Sequence, residues 1–359
     1  MGAGQLGRML ALAGYPLGIE CVFLDPDPDS PGGQVGEIVL GALDDVAALA
    51  RLANDVDVIT LEIENVAVTT LTSVLDRTAI FPPPAVIGAA QDRLSEKQLF
   101  GSLGIPTAPF LPIDTPSDLE DAGRVLGWPI VLKSRRLGYD GRGQRIADSE
   151  ARLVSAWKQL GRAPAIAEGW VAFERELSLI GVCGARQERV FYPLVENVHR
   201  DGILASSLAP YTNAELQRQG ESWLTAIMET FDYRGVLTVE FFHTPAGLIA
   251  NEMAPRVHNS GHWTIEGAQI SQFENHLRAV LGWPLGDPSP RGHAAMLNLL
   301  GTLPPREAIL AIPGAHLHDY GKSPRIGRKL GHCTLVDPDR GRLLQRLRTL
   351  QTIVFEAEE

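Results

Sequence analysis

The sequence predicts an α/β protein, α+β taken as a whole, built from more than one domain. Three observations carry that expectation. Residues before about 80 alternate short apolar runs with helical stretches, the pattern of a parallel sheet covered by helices. Proline breaks at Phe81-Pro82-Pro83-Pro84 and Trp283-Pro284 interrupt the periodicity. Between them, two apolar runs flank turn residues and read as a hairpin, and each run contains one glutamate.

Composition narrows the class. A chain of 359 residues sets a prior of roughly two to three domains. At 45% hydrophobic and 21% charged residues it reads as an ordinary globular protein. A formal net charge of −11 argues against a nucleic-acid partner or an anionic membrane surface. An acidic protein that binds phosphorylated ligands must concentrate its basic residues locally. Cys21, Cys183 and Cys333 lie far apart, which fits a reducing compartment and disfavours a disulfide framework or a zinc site. No apolar run approaches a membrane span and the first residues lack a leader pattern, so the cytoplasm is the expected location.

Taken in order, an apolar run over 21–24 ends at Asp25, a helix is expected over 44–54, and 56–63 reads as a second buried strand. Helices follow over 92–103 and 116–126, and a strand over 130–133 enters a glycine-rich loop. Strands over 236–242 and 248–253 precede a helix around 271–281. The remainder, from about 290, reads as strands and a final amphipathic helix.

Thr244-Pro245-Ala246-Gly247-Leu248 has turn chemistry. Proline suits the second position of a type I turn, and glycine the left-handed position of a three-residue loop. With Pro245, Ala246 and Gly247 as that loop, Thr244 faces Leu248, Phe242 faces Ala250 and Glu240 faces Glu252. Facing carboxylates repel unless a cation or a proton lies between them, and in apolar strands an unpaired charge is costly. Magnesium takes such oxygens together with nucleotide phosphates. Two solvated edge glutamates fit the hairpin sequence equally.

Three further runs carry chemistry. After Lys133 comes Gly138-Tyr139-Asp140-Gly141-Arg142-Gly143-Gln144, whose glycines let backbone amides approach phosphate oxygens beside a lysine. An ordinary hairpin loop has the same composition. The run ending at Glu168, followed by Trp170, Val171 and Glu176, could offer acceptors to an adenine amino group and ribose hydroxyls. Ala254-Pro255-Arg256-Val257-His258-Asn259-Ser260-Gly261-His262 follows Glu252 and could clamp a small anion. Farther on, Lys322, Arg325, Arg328, Lys329 and His332 form a basic stretch that a phosphate-bearing substrate would need, and that a solvated loop would also explain.

Together these runs resemble the N5-carboxyaminoimidazole ribonucleotide synthetases, ATP-dependent carboxylases of bacterial and fungal purine biosynthesis. The likeness includes Gly4-Gln5-Leu6-Gly7-Arg8-Met9, Asp92-Arg93 with Lys97-Gln98-Leu99-Phe100, and the glycine-rich loop. It continues in Tyr192-Pro193-Leu194-Val195-Glu196-Asn197-Val198-His199, in 251–263, and in Gly327-Arg328-Lys329-Leu330-Gly331-His332, so it covers nearly the whole chain. Residues 251–263 are its most specific part.

The resemblance implies an ATP-grasp fold. A Rossmann-like pre-ATP-grasp domain would span 1–84, and a two-lobed ATP-grasp domain 85–290, with its lid lobe at about 105–167. A small C-terminal domain would span 291–359. It implies a homodimer that joins bicarbonate to the exocyclic amine of 5-aminoimidazole ribonucleotide through carboxyphosphate, releasing ADP and phosphate. It assigns ATP to Arg93, Lys133, Gly138, Tyr139, Asp140, Gly141, Arg142, Gly143, Gln144, Glu168, Val171, Glu176, His199, Asn251 and Glu252. Magnesium or manganese would fall to Glu240 and Glu252, and bicarbonate chemistry to Arg256, His258 and Asn259 with Lys322. The ribonucleotide would meet Gly4, Gln5, Leu6, Tyr139, Asp140, Arg142, Lys322 and Arg328.

Three departures stand against that pattern. The chain starts at Met1-Gly2-Ala3-Gly4, so the strand expected before the first glycine turn is missing from the sequence. Ala254 stands, as in the resembling family, where many other ATP-grasp enzymes have a third, asparagine ligand, so two glutamates must suffice. Glu168-Gly169-Trp170 is a less usual adenine-side stretch. Rival readings are a nicotinamide-dependent dehydrogenase, from Gly2, Gly4, Gly7 and Asp25, an ATP-grasp carboxylase or formyl-ligase with another acceptor, and an inactive binding module. The first explains nothing past residue 80, and the run 254–263 argues against the second.

Overall fold

The computed structural model describes residues 1–138 and 143–358. The first helix, α1 (Gln5–Gly14), starts directly after the glycine turn. The parallel pair β1 (Val22–Asp25) and β2 (Glu37–Leu40) follows. Asp45 then caps α2 (Val46–Asp55), its carboxylate accepting the Ala47 and Ala48 amides. β3 (Val58–Ile59) pairs in parallel with β4 (Ala79–Ile80), with α3 (Val68–Thr72) between them. The strand expected over 56–63 therefore shrinks to a short ladder. Past Ile59 the backbone turns to the N-terminus: Met1 N donates to Thr60 O at 2.7 Å and Glu62 N to Met1 O at 3.1 Å. Gly2 N donates to Leu24 O at 2.9 Å, so Met1 and Gly2 bridge β1 and the segment after β3.

Two helices, α4 (Pro84–Ala90) and α5 (Arg93–Ser102), lead onward, and Asp92 caps the second. The next unit is an antiparallel sheet with strand order β5-β8-β6-β7. Its strands are β5 (Phe110–Ile113), β6 (Ile130–Ser134), β7 (Gln144–Ala147) and β8 (Ala165–Gly169). A capping box, Thr115 with Asp118, starts α6 (Pro116–Leu126). With α7 (Glu150–Gln159) it buries Leu119, Leu153 and Trp157 among Ile130, Leu132 and Ala165.

The remaining strands, β9 (Arg175–Cys183), β10 (Arg189–Phe191), β11 (Val195–Arg200), β12 (Ile203–Ala209), β13 (Gly235–Thr244), β14 (Gly247–Ala254), β15 (His293–Leu300), β16 (Ala315–Asp319) and β17 (Lys329–Asp337), share one sheet. Its order is β14-β13-β9-β11-β12-β15-β17-β16, with β10 on β9, so strands from before and after residue 290 belong to one ladder. Alternate residues of β9 face two cores. Leu177 and Leu179 pack with α8 (Ala214–Thr230). Ile180 and Val182 pack with Trp263, Phe273 of α10 (Gln272–Leu281), and Leu6, Met9 and Leu10 of α1. Leu6, Met9 and Leu10 thus seat helix α1 on the large sheet. Short helices α9 (Thr264–Gly267) and α11 (Arg306–Leu310) and the final α12 (Arg340–Glu358) complete the chain. Among the described residues no helix is long and apolar enough to cross a membrane.

Candidate active site

A cleft of about 810 Å³ takes its walls from the small sheet, the β14 edge of the large sheet and the N-terminal segment. Its described lining gathers Gln5, Leu6, Arg93, Lys133, Gly138, Gln144, Glu168, Val171, Glu176, His199, Glu240, Asn251, Glu252, Arg256, His258, Asn259, Lys322 and Arg328. Residues separated by over 300 positions in sequence share one wall, since Lys322 donates to Gln5 Oε1 with a separation of 317. Gly4 and Gly143 lie off the lining. Gly143 sits at the loop base with φ of +77°, and a Cβ there would collide with Ser134 Oγ, so only glycine fits. Tyr139, Asp140, Gly141 and Arg142 lie outside the described residues.

Glu240 does face Glu252, but by a different route from the one counted in sequence. The turn is shorter than expected: Thr244 pairs with Gly247 rather than Leu248, and Phe242 with Ile249 rather than Ala250. The register then shifts between Phe241↔Ala250 and Glu240↔Glu252, leaving Asn251 as an extra residue in β14. That β-bulge restores the offset lost at the turn. It also brings two consecutive side chains, Asn251 and Glu252, to the cleft, which a regular strand cannot do.

The two carboxylates are in different electrostatic states. Burial works against the charge of Glu252, yet the Arg93 guanidinium at 2.6 Å outweighs it and holds that carboxyl well below the usual range. Burial, then the facing Glu252, pushes Glu240 up. Among the described residues no cluster of three or more His, Cys, Asp or Glu side chains could hold a metal ion by itself. A facing pair with one member kept charged fits a magnesium ion that takes its other ligands from phosphates and water.

On one side of the pair, each cation already has an acidic partner. Lys133 Nζ lies 2.9 Å from Glu168 Oε2 and 3.2 Å from Asn251 Oδ1. Burial opposes the charge of Glu168, but Lys133 and then Lys97 keep its carboxyl low. Its other oxygen, Oε1, is buried with no hydrogen-bond partner among the described residues, so one acceptor stays available beside the engaged one. His199 Nδ1 lies 2.6 Å from Glu176 Oε2, and that contact raises the histidine despite burial.

On the other side, Arg256 is held in a fork by Glu64, Nε to Oε2 at 2.6 Å and Nη2 to Oε1 at 3.1 Å. His258 Nε2 stands 3.5 Å from Glu240 Oε1. A buried hydrogen-bond chain fixes its ring: Ser207 Oγ donates to Asn197 Oδ1, Asn197 Nδ2 to Ser178 Oγ, and Ser178 Oγ to Ser260 Oγ. Ser260 Oγ then stands 2.8 Å from His258 Nδ1, which also accepts the Ser260 amide at 3.3 Å. Nδ1 being the acceptor, the proton is assigned to Nε2, which faces the cleft. Burial, then Arg256, lowers His258 to about 3, so the ring is neutral near pH 7 and acts as a donor. Asn259 exchanges amide hydrogen bonds with Asn298 at 3.1 and 2.7 Å. Lys322 is lowered to about 8, by burial first and then by Arg328.

Sequence reasoning missed Glu62 and Glu64. Both sit at alternate positions of the apolar run Leu61-Glu62-Ile63-Glu64, and the cost of charge in such a run, which singled out Glu240, singles them out too. Glu62 accepts the amides of Gly4 and, at 2.6 Å, of Gly7, filling the N-terminus of α1. A dinucleotide pyrophosphate would need those amides. Asp25, the acid that reading assigned to a ribose, instead accepts Ala3 N at 2.8 Å, Asp27 N at 2.9 Å and Ser30 Oγ at 3.0 Å. The dehydrogenase reading fails on both counts.

A small antiparallel lobe and a larger sheet enclosing a carboxylate pair and a lysine define an ATP-grasp ligase, and the ATP-grasp domain model matches residues 98–273. The ribonucleotide synthetase preATP-grasp domain model matches residues 1–91, and the phosphoribosylaminoimidazole carboxylase C-terminal domain model residues 294–346. The N5-carboxyaminoimidazole ribonucleotide synthase of Pseudomonas aeruginosa is 46% identical over 354 residues, covering 99% of this chain and 98% of that protein. The crystal structure of the synthetase from Thermus thermophilus is 50% identical, with a TM-score of 0.94 over 98% of this chain and 97% of that one. The Aspergillus clavatus synthase in complex with ADP and 5-aminoimidazole ribonucleotide is 33% identical, with a TM-score of 0.91 over 99% and 97% of the two chains. The chain belongs to the N5-carboxyaminoimidazole ribonucleotide synthase family.

Proposed function

We propose that this chain carboxylates the exocyclic amine of 5-aminoimidazole ribonucleotide with bicarbonate, driven by ATP, to give N5-carboxyaminoimidazole ribonucleotide, ADP and phosphate. One observation carries the reading: the facing pair Glu240–Glu252 has Arg93 and Lys133 on one side and His258, Arg256 and Lys322 on the other, in one cleft. The nucleotide belongs on the first side. Lys133 would neutralise phosphate charge, Glu168 Oε1 would accept from the adenine amino group, and Glu176, oriented by His199, would take ribose hydroxyls. Magnesium or manganese held by Glu240 and Glu252 would supply further neutralisation of the phosphates.

A bicarbonate oxygen attacks the γ-phosphorus, the bond to ADP breaks, and carboxyphosphate forms. The substrate amine then attacks the carboxyl carbon, phosphate leaves, and the nitrogen loses a proton. Arg256 and the Nε2–H of His258 would hold the anionic oxygens through both steps, with Asn259 kept in place by Asn298. Lys322 and Arg328, together with Gln5 and Leu6, would bind the ribonucleotide. Exclusion of water protects the carboxyphosphate. Boundaries near residues 84 and 290, a homodimer and a cytoplasmic location belong to the same reading. ADP release measured with and without bicarbonate and 5-aminoimidazole ribonucleotide tests it. Stimulation by both together is expected, and a folded sample that the ribonucleotide does not stimulate would overturn it.

A further inference from the structure

β14 is the outer strand of the large sheet; beyond it, among the described residues, an isolated parallel bridge pairs Ala250 with Thr107, Ala250 N donating to Pro106 O at 2.8 Å, and no further strand covers the residues that follow. Over residues 250–253 that side is met by helix α5. Lys97 Nζ donates to the carbonyls of Ala250 and Asn251, at 3.3 and 2.8 Å. Glu96 Oε1 accepts the amide of Met253 at 2.6 Å, and Arg93 holds the side chain of Glu252. Positions 93, 96 and 97 are three and four residues apart and share one helix face. That face engages four consecutive residues of the strand.

Those residues contain the bulge. A bulge leaves one residue outside the ladder and persists where something else satisfies its backbone groups. Lys97, whose side chain is only 1% exposed, does this for both carbonyls, with Glu168 Oε2 at 3.7 Å balancing its charge. Without the bulge, the register set at the turn would continue along the hairpin. Glu240 would then face Asn251, and Glu252 would turn to the opposite face of the sheet.

We propose that Lys97 is a positioning residue for the metal pair: by holding the Asn251 bulge from the far side of β14, it keeps Glu252 on the cleft face opposite Glu240. This rests on the reading of Glu240 and Glu252 as metal ligands, and the experiment separates the two. Mn²⁺ binding in the presence of ADP is measured by electron paramagnetic resonance for the parent chain, Glu252→Gln, Lys97→Met and Lys97→Arg, with circular dichroism to establish folding. Lys97→Met weakens Mn²⁺ binding by about 10- to 100-fold, the usual range for a group that orients a metal ligand, and raises the magnesium needed for half-maximal rate. The KM for 5-aminoimidazole ribonucleotide stays unchanged, which general unfolding of the cleft would not allow. Lys97→Arg, which keeps the charge on a longer arm, shows a smaller loss. If Glu252→Gln weakens Mn²⁺ binding and folded Lys97→Met does not, the role of Lys97 is wrong. If Glu252→Gln itself binds Mn²⁺ like the parent, the metal reading fails instead. Should Lys97→Met not fold, Lys97→Arg decides the question, and unchanged Mn²⁺ affinity there overturns the proposal.

Discussion

The two halves of the cleft are built differently. The nucleotide half comes from one continuous stretch, since Arg93, Lys133, Glu168, Glu176, His199, Glu240 and Glu252 all precede residue 255. Its cations are held by acids before any ligand arrives: Arg93 by Glu252, and Lys133 by Glu168. The acceptor half is assembled from segments around residues 5, 62–64, 256–259 and 322–328. There, among the described residues, Arg325 and Arg328 have no carboxylate partner, and the N-terminus of α1 is filled by Glu62. Charge in the first half is pre-balanced and pre-oriented. In the second, Glu64 holds Arg256 across a long-range contact, while the charges of Arg325 and Arg328 are left for the substrate to balance, so this half responds to pH and to loss of single long-range contacts.

The largest effect should come from the boundary between the halves. Glu252→Gln removes a charge from the facing pair and leaves the Arg93 guanidinium without its carboxylate. We expect ADP release to fall by about 10²–10³-fold, the scale of deleting one preorganised charge-stabilising group, while circular dichroism is unchanged. Activity that survived the substitution would remove the metal role from Glu252 and leave the two halves without a common centre.

The same contrast governs what the sequence revealed. Four helix starts were legible because their chemistry is local: Asp45, Asp92, the Thr115–Asp118 box and Ser271 cap helices within three residues of themselves, although Asn213 caps α8 in the same way and that helix was not read. The Glu240–Glu252 pairing came out right although two steps toward it were wrong, a turn one residue too long and an unseen bulge. Turn residues do not encode a bulge that depends on Lys97, which lies 154 positions from Asn251. The basic stretch was visible as charge, yet nothing in it named Gln5 as the partner of Lys322. Glu62 and Glu64 were visible as acids in an apolar run, but the Glu62 backbone pairs with Met1 and the Glu64 carboxylate reaches Arg256, tertiary choices that periodicity cannot report.

Glu64 offers an intermediate test, since it joins the N-terminal segment to the bicarbonate side. Glu64→Gln keeps the size but replaces a two-point ionic clamp on Arg256 with a neutral amide. Hydrogen bonds to charged groups are worth about 1.5–3 kcal/mol, roughly 10- to 100-fold. The KM for bicarbonate should rise by about that factor, with the KM for ATP unchanged. A rise in both would mean that the two halves are not separately organised.

The smallest and most graded effect is that of pH on Lys322. Burial first, and Arg328 second, lower its pKa to about 8, so it is protonated below that pH and loses its charge above it. The kcat/KM for the ribonucleotide reports groups of the free enzyme. It should be flat from pH 7 to about 8 and then fall by up to about tenfold per pH unit, while kcat/KM for ATP, whose cations are already paired, stays level. Lys322→Arg, which keeps its charge throughout this range, should remove the fall. A decline shared equally by both substrates would show that pH acts on the common centre and not on the acceptor half, and would collapse the distinction between the two sides of the cleft.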